Sequence, residues 1–394
     1  MSNYANDRLA LYTFSELIGF VQKYTNLQLR YANPTQIGDI YFDLFPAEQT
    51  TPSWTNPCDD KRHLAIWSDS KRYLCNHVPR ILIVGPQKTG TTALYTFLKL
   101  NPLFESARMS REDFEEVQFF NDKHYGRGSD WYLSRFESAN ANPIEPIYFD
   151  KSATYFDDPK VPARASNLLP NARIIMLLVD PADRAYSWYQ HMKAHGDIIA
   201  NGLSFDQLIL DTRDDIGATE NRTTTKIELN PKNLLEDASS IAAIRQLRNR
   251  CIQPGFYAQH LINWLEHYSS RQIIIIDGQW FKYNPAAVMN RLQLLLGVQN
   301  PMDYNEVLAF DSRKGYFCPL DTQAKNRTRC LGKSKGRKYE PMGERVRHYL
   351  NRLYLNQNRQ LANLLNDIGQ PLPTWLDAAL DSVAQLASAS DRSL

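Results

Sequence analysis

No stretch of the 394-residue chain approaches the roughly 20 apolar residues that a membrane-spanning helix needs. The opening residues, MSNYANDRLALY, lack the apolar core of a secretory signal. Taken alone, this terminus predicts a cytosolic chain. An excess of one charge is also missing. Lys and Arg number 45 and Asp and Glu 43, which leaves a net charge of +2 and excludes a polycation. Attraction for an anionic partner must then come from local clustering. Cysteine is scarce, and five residues do not settle the redox compartment. Internal repeats and low-complexity tracts are absent. The sequons at Asn221 and Asn326 matter only if the chain enters the secretory pathway.

What is present is ordinary in amount and ordered in pattern. Apolar residues make up 43% and charged residues 22%, as in a soluble globular protein. The length allows one large core or two smaller ones. Residues 1–30 carry a helical pattern, and residues 46–78 read as a linker or covering segment rich in Pro, Trp, Asp and Lys. From residue 79 short apolar runs begin to alternate with helical spacing. RILIVG (80–85), the first half of PIYFDKSATYF (146–156), ARIIMLLVDP (172–181) and RQIIIIDG (271–278) fit strands buried on both faces. TTALYTFLKLNP, ADRAYSWYQHMKAHG, AIRQLRNRCI, YAQHLINWLEHY and PAAVMNRLQLLLGV fit helices. A long amphipathic helix is expected from Pro341 to about Ile368, and a tail from residue 377 whose last residues, AQLASASDRSL, read as frayed. This alternation predicts an α/β fold, with a central parallel sheet flanked by helices.

Five stretches carry candidate chemistry. GPQKTGTT (85–92) follows a strand and opens a helix, as a phosphate-binding loop does. Backbone N–H groups and the positive helix end would face an anion, and Thr91 and Thr92 could add hydroxyl donors. Yet Lys88 precedes Gly90, whereas the nucleotide-triphosphatase loop has its lysine after the second glycine. No apolar run ends in a convincing metal-binding aspartate either. DFEEVQFFN (113–121) offers Glu115 and Glu116, which point in different directions, so one could face a site while the other faces water. Lys151 follows the apolar IYF, where a strand would open onto a cleft. In VDPADRAYSWYQHMKAHGD (179–197), Arg184, Ser187, His191 and His195 lie at helical spacings. CPLDTQAKNRTRCLGKSKGRKY (318–339) holds seven Lys and Arg residues after Asp321 and no further acid, the pattern of a polyanion contact. Each stretch alone also has an inert reading: a Gly turn capping a helix, a solvated Glu pair, a surface lysine, an amphipathic surface helix, a solvated basic loop.

Together these stretches resemble the sulfotransferase domain of the heparan sulfate N-deacetylase/N-sulfotransferases. GPQKTGTTALYTFL, FEEVQFFN, PADRAYSWYQH and CLGKSKGRKY carry the resemblance, which runs from SNYANDRLALYTF near the start to PTWL near the end. It implies a P-loop-like strand–loop–helix that holds the 5′-phosphosulfate of the donor 3′-phosphoadenosine 5′-phosphosulfate (PAPS), with no metal required. Lys88 would reach the bridging oxygen of the bond that breaks, within a loop that includes Thr89, Gly90, Thr91 and Thr92. Ser187, helped by Arg184, would contact the 3′-phosphate. The wider superfamily often has an arginine eight positions before that serine. Here the residue is Val179, and the N-sulfotransferases also lack that arginine. Lys335, Gly336, Arg337, Lys338 and Tyr339 match the donor-binding run, and Gln87, Trp188 and His191 match positions implicated in substrate binding. Glu116 matches the catalytic base and Glu115 does not, Lys151 lines the active site, and His191 is also a catalytic candidate. Cys318 and Cys330 match a disulfide pair.

The resemblance implies N-sulfation of a heparan sulfate or heparosan acceptor in the Golgi lumen, with no nucleic-acid partner. Residues 1–45 match only the end of a deacetylase domain, residues 79–376 the sulfotransferase domain. Membrane attachment would come only through an N-terminal anchor not seen in this sequence. The competing readings are an O-sulfotransferase on the same scaffold, a non-catalytic heparan-binding module, and a P-loop kinase. The presence of Glu116 and Lys88 argues against the module, and the position of Lys88 against the kinase.

Overall fold

The computed structural model describes residues 77–109, 116–136, 146–210, 238–321, 328–332, 336 and 339–380. Several expectations fall outside them: the helix within residues 1–30, the segment up to residue 76, both sequon asparagines, Glu115, Cys58 and Cys75, and Lys335, Arg337 and Lys338.

Five strands form one parallel sheet: β1 (Ile81–Gly85), β2 (Phe104–Ser106), β3 (Ile147–Lys151), β4 (Arg173–Leu178) and β5 (Ile273–Asp277), in the order β2-β3-β1-β4-β5. The strands are short, β-branched and nearly continuous in apolar residues, because helices cover both faces. The period of two then sorts the side chains. Leu82, Val84, Ile174, Met176 and Ile275 enter one core, and Ile81, Ile83, Ile175, Leu177 and Ile274 enter the other.

The second of these cores is covered by α1 (Thr91–Leu98) and, later in the chain, by α9 (Gly278–Tyr283) and α10 (Pro285–Leu295). The first is covered by α3 (Val161–Leu168) and α8 (Tyr257–Leu265), with α2 (Gly128–Leu133) beside them. α4 (Pro181–Ala194), α5 (Ile198–Gly202), α6 (Phe205–Leu210) and α7 (Ala238–Ile252) build a third cluster. α11 (Glu344–Asp367) joins two of them: Val346, Leu350 and Tyr354 enter the third cluster, and Leu361 and Leu365 enter the first. Residues 374–380 are again helical, and Asp277 ties them down by accepting from the Thr374 N–H at 2.8 Å and its hydroxyl at 2.6 Å.

The helices α2, α3, α5, α6 and α9 were not anticipated from the sequence, and neither were two sheet features. β2 is a three-residue strand with two polar positions, and its existence depends on pairing with β3. The antiparallel hairpin β6 (Leu308–Asp311) and β7 (Tyr316–Pro319) turns through Ser312–Gly315. Asp311 Oδ1 accepts from the N–H groups of Arg313 and Lys314, and Gly315 takes the left-handed φ of 77° that closes the turn. Among the described residues no helix is long and apolar enough to cross a membrane.

Candidate active site

The site lies at the carboxyl ends of β1, β3 and β4, where open parallel sheets place their ligands. β1 runs into Gly85, whose φ is 115°. A Cβ there would stand 2.3 Å from the Ala153 carbonyl oxygen, so only glycine lets the loops after β1 and β3 lie against each other. The Ser152 N–H donates to the Ile83 carbonyl at 3.1 Å and extends this contact. Lys88 adopts a left-handed φ of 73°, a backbone state that L residues disfavour. Thr89 is buried and donates its hydroxyl to the Pro86 carbonyl at 2.8 Å, which closes the loop on itself. Gly90 is exposed and left-handed, and it starts α1 with no side chain capping the helix. A tight loop on an uncapped helix end, carrying Lys88, Thr91 and Thr92, suits an anionic phosphosulfate.

Arg184 locks this loop from behind. It is 1% exposed. Its Nη1 donates to the Gln87 carbonyl at 3.3 Å, and its Nη2 to the carbonyls of Arg250 at 3.1 Å and Cys251 at 2.5 Å. Arg184 therefore ties the loop to the end of α7. Its Nε is buried with no partner among the described residues. Cys251 is free and buried, and burial pushes its thiol up to about 12, which removes it from nucleophilic chemistry at neutral pH.

Lys151, at the end of β3, is 1% exposed. Its ammonium lies 3.1 Å from Glu116 Oε1 and 5.6 Å from the centroid of the Tyr95 ring. Glu116 is 15% exposed, and its Oε2 is buried with no partner among the described residues. One carboxylate oxygen is thus held by a cation while the other has no partner among the described residues. Of the two adjacent glutamates, the described one is at the site.

α4 starts with Asp180 as N-cap, accepting from the N–H groups of Ala182 and Asp183 at 2.8 and 3.1 Å, and with Pro181 in its first turn. The helix carries Ser187, half-buried, followed by Trp188, His191 and His195. Trp188 is 4% exposed and its indole N–H has no partner among the described residues. The guanidinium of Arg250 sits 4.7 Å over the Trp188 ring, and the His191 ring lies 5.5 Å away. The His195 ring packs tilted against His191 at 4.1 Å between centroids.

The described parts of the basic segment are tied to the β6–β7 hairpin and to α4. Cys318 and Cys330 are joined in a disulfide with a Cα–Cα distance of 4.8 Å. Gly336, at φ 61°, lies flat on Tyr316, where a Cβ would come within 2.3 Å of the ring. The Tyr339 ring meets Tyr186 of α4 at 6.2 Å, and the Tyr186 hydroxyl donates to the Glu340 carbonyl at 2.8 Å. No cluster of three or more His, Cys, Asp or Glu placed to hold a metal ion occurs among the described residues.

Sequence reasoning overlooked the residues around Glu116. Asp150, Ser152, Tyr155 and Tyr132 form a buried hydroxyl–carboxylate network under it. The signal was available: an aspartate inside an otherwise apolar strand has to find partners.

Residues 78–361 match the family described as Sulfotransferase domain. The chain is 47% identical over 387 residues to the bifunctional heparan sulfate N-deacetylase/N-sulfotransferase of Drosophila melanogaster, covering 95% of this chain and 34% of that protein. It is 45% identical over 383 residues to the human bifunctional heparan sulfate N-deacetylase/N-sulfotransferase 3, covering 97% and 40% respectively. The chain therefore spans roughly a third to two fifths of the length of these relatives. Among solved structures, a sulfotransferase from Alicyclobacillus acidocaldarius is 19% identical with a TM-score of 0.48, covering 76% of this chain and 98% of that one.

Proposed function

Because the chain belongs to the sulfotransferase-domain family, we propose that it transfers the sulfuryl group of PAPS to the free amine of glucosamine units in heparan sulfate or its heparosan precursor. The observation that carries this reading is the divided Glu116 carboxylate, with Oε1 on Lys151 and Oε2 buried without a partner among the described residues. An ammonium has no lone pair, so a base has to take a proton before or during attack. Glu116 Oε2 is the atom assigned to that proton. PAPS supplies the activated sulfuryl group. The amine nitrogen forms a bond to sulfur, the bond from sulfur to the bridging phosphate oxygen breaks, and 3′-phosphoadenosine 5′-phosphate departs with the electron pair. Lys88 is assigned to the charge that grows on that oxygen, and Lys151 adds positive charge beside it while orienting Glu116.

The remaining assignments follow the same reading. The loop from Gln87 to Thr92 holds the phosphosulfate. Ser187 and Arg184 are assigned to the 3′-phosphate, and the run from Lys335 to Tyr339 to donor binding. Trp188 and His191 face the acceptor. The reaction is placed in the Golgi lumen, an oxidising compartment consistent with the Cys318–Cys330 bond. The test uses radiolabelled PAPS with N-desulfated heparin. Label released by nitrous acid at low pH marks N-sulfate and is the expected product. Label that resists it would instead indicate an O-sulfotransferase, and no label a binding module.

A further inference from the structure

The segment that carries Glu116 belongs to neither helix nor strand. Its N–H groups cannot pair within a regular ladder and need other acceptors. Three of them find hydroxyl oxygens. The Gln118 N–H donates to Ser152 Oγ at 3.0 Å, and the Phe119 and Phe120 N–H groups donate to Tyr155 Oη at 2.7 and 3.3 Å. Gln118 sits at a left-handed φ of 52°, which turns the chain so that Glu116 meets Lys151 while Phe119 and Phe120 enter the core.

A hydroxyl can donate or accept, and on its own it fixes no polarity. Asp150 removes that freedom. Its carboxylate only accepts. Ser152 donates to Oδ1 at 2.9 Å, and Tyr155 and Tyr132 donate to Oδ2 at 3.0 and 3.1 Å. Asp150, Ser152, Tyr155 and Tyr132 are each fully buried, so no water competes for these protons. Once Ser152 and Tyr155 have given their single protons to Asp150, they can only accept from the backbone of the Glu116 segment. Consecutive residues of β3 thus hold Glu116 from two sides. Lys151 binds its carboxylate, and Asp150, through two hydroxyls, fixes the backbone behind it.

We infer that Asp150 is a positioning residue for the Glu116 base, acting through Ser152 and Tyr155 and touching neither donor nor acceptor. This rests on the assignment of Glu116 as base. Burial raises the Asp150 carboxyl to about 6, with the negative charge of Glu116 adding to the rise and the hydroxyl bonds opposing it. The acceptor form is accordingly the one present at neutral pH. An asparagine would present an NH2 donor to the hydroxyls. They would have to turn, and their protons would then oppose the N–H groups they now receive.

The test is a double-mutant cycle on single-turnover rates with saturating PAPS and N-desulfated heparin, in which Asp150→Asn and Tyr155→Phe are each made in the wild-type and in the Glu116→Gln background. Affinity for 3′-phosphoadenosine 5′-phosphate reports on folding. In the wild type each change should lower the rate about 10- to 100-fold, as expected when a catalytic group is displaced by about 1 Å. Nucleotide affinity and acceptor KM should stay within about threefold of wild type, the precision with which coupled sites are separated from independent ones. In the Glu116→Gln background neither change should cost anything further. Tyr155→Phe carries the test if Asp150→Asn does not fold. The inference is overturned if Tyr155→Phe keeps the wild-type rate, or if its loss is equal in both backgrounds, since a purely structural role adds independently. Should Glu116→Gln itself retain full turnover, the assignment of the base falls, and this inference with it.

Discussion

Replacing Lys151 with methionine removes the ammonium while nearly keeping the volume, so the consequences are electrostatic. The ion pair spans 3.1 Å, with Lys151 1% and Glu116 15% exposed. At that separation, with an effective dielectric of about 20, the attraction amounts to about 5 kcal/mol before the cost of taking both ions out of water. Breaking a buried pair by removing one partner costs about 3–5 kcal/mol, chiefly because the other charge stays behind. The partial exposure of Glu116 places the expectation near the lower end, about 3 kcal/mol, or a fall in Tm of about 5 °C for a domain of this size. The abandoned carboxylate already has one oxygen without a partner among the described residues, so removing its charge should remove most of the cost. Adding Glu116→Gln should recover at least half of the lost stability. Neither variant should recover turnover, since loss of one electrostatic donor typically costs about 10²–10³ in rate. Thermal melts of the wild type, both single variants and the double variant provide the measurement. A double variant no more stable than Lys151→Met would refute the reasoning.

Gly336→Ala should raise the KM for PAPS about tenfold, because the new Cβ meets Tyr316 and the left-handed φ adds roughly 1 kcal/mol or more of strain. Steady-state kinetics over a PAPS titration would reveal it, and an unchanged KM would detach Gly336 from the donor site. Asp311 accepts the Thr328 hydroxyl at 2.7 Å, and that bond, with further donors from Arg313 and Lys314, lowers its carboxyl to about 2. Its contribution is fully present above about pH 4, where the unfolded carboxylate is charged, and is lost as pH falls through about 2. The gap in urea midpoint between wild type and Asp311→Asn should thus narrow from pH 6 to pH 3, and a constant gap would remove Asp311 from that role. The Cys318→Ser, Cys330→Ser variant should bind PAPS more weakly, because the crosslink limits the conformations given up by the segment leading to Gly336. Equal affinity by calorimetry would keep the bond and reject its ordering role.

The four long strands and most helices were legible because burial on both faces forces continuous apolar runs, and one-sided burial forces helical spacing. β2 was not, because Phe104–Ser106 has no strand pattern of its own and is fixed by β3. The β6–β7 hairpin was passed over although Asp311 and Gly315 flag a turn, since its strands have four residues each. At the site, Glu116 and Lys151 stand 35 positions apart, and they meet because Ser152 and Tyr155, just beyond β3, hold the backbone of the segment that carries Glu116. Arg184 shows the limit of spacing arguments. Its helical position was legible, but its attachment to the Gln87, Arg250 and Cys251 carbonyls depends on where α7 ends. The Asp150 network escaped for a related reason: hydroxyl polarity is set by partners from three separate segments.

The central claim is that Glu116 takes the proton of the attacking amine. Its most direct test is the single-turnover rate of sulfuryl transfer to N-desulfated heparin by Glu116→Gln at saturating PAPS, alongside its affinity for 3′-phosphoadenosine 5′-phosphate. Loss of a positioned general base lowers the rate about 10²–10⁴-fold, and nucleotide affinity should remain at the wild-type value. A rate close to wild type, with the nucleotide bound normally, would contradict the account.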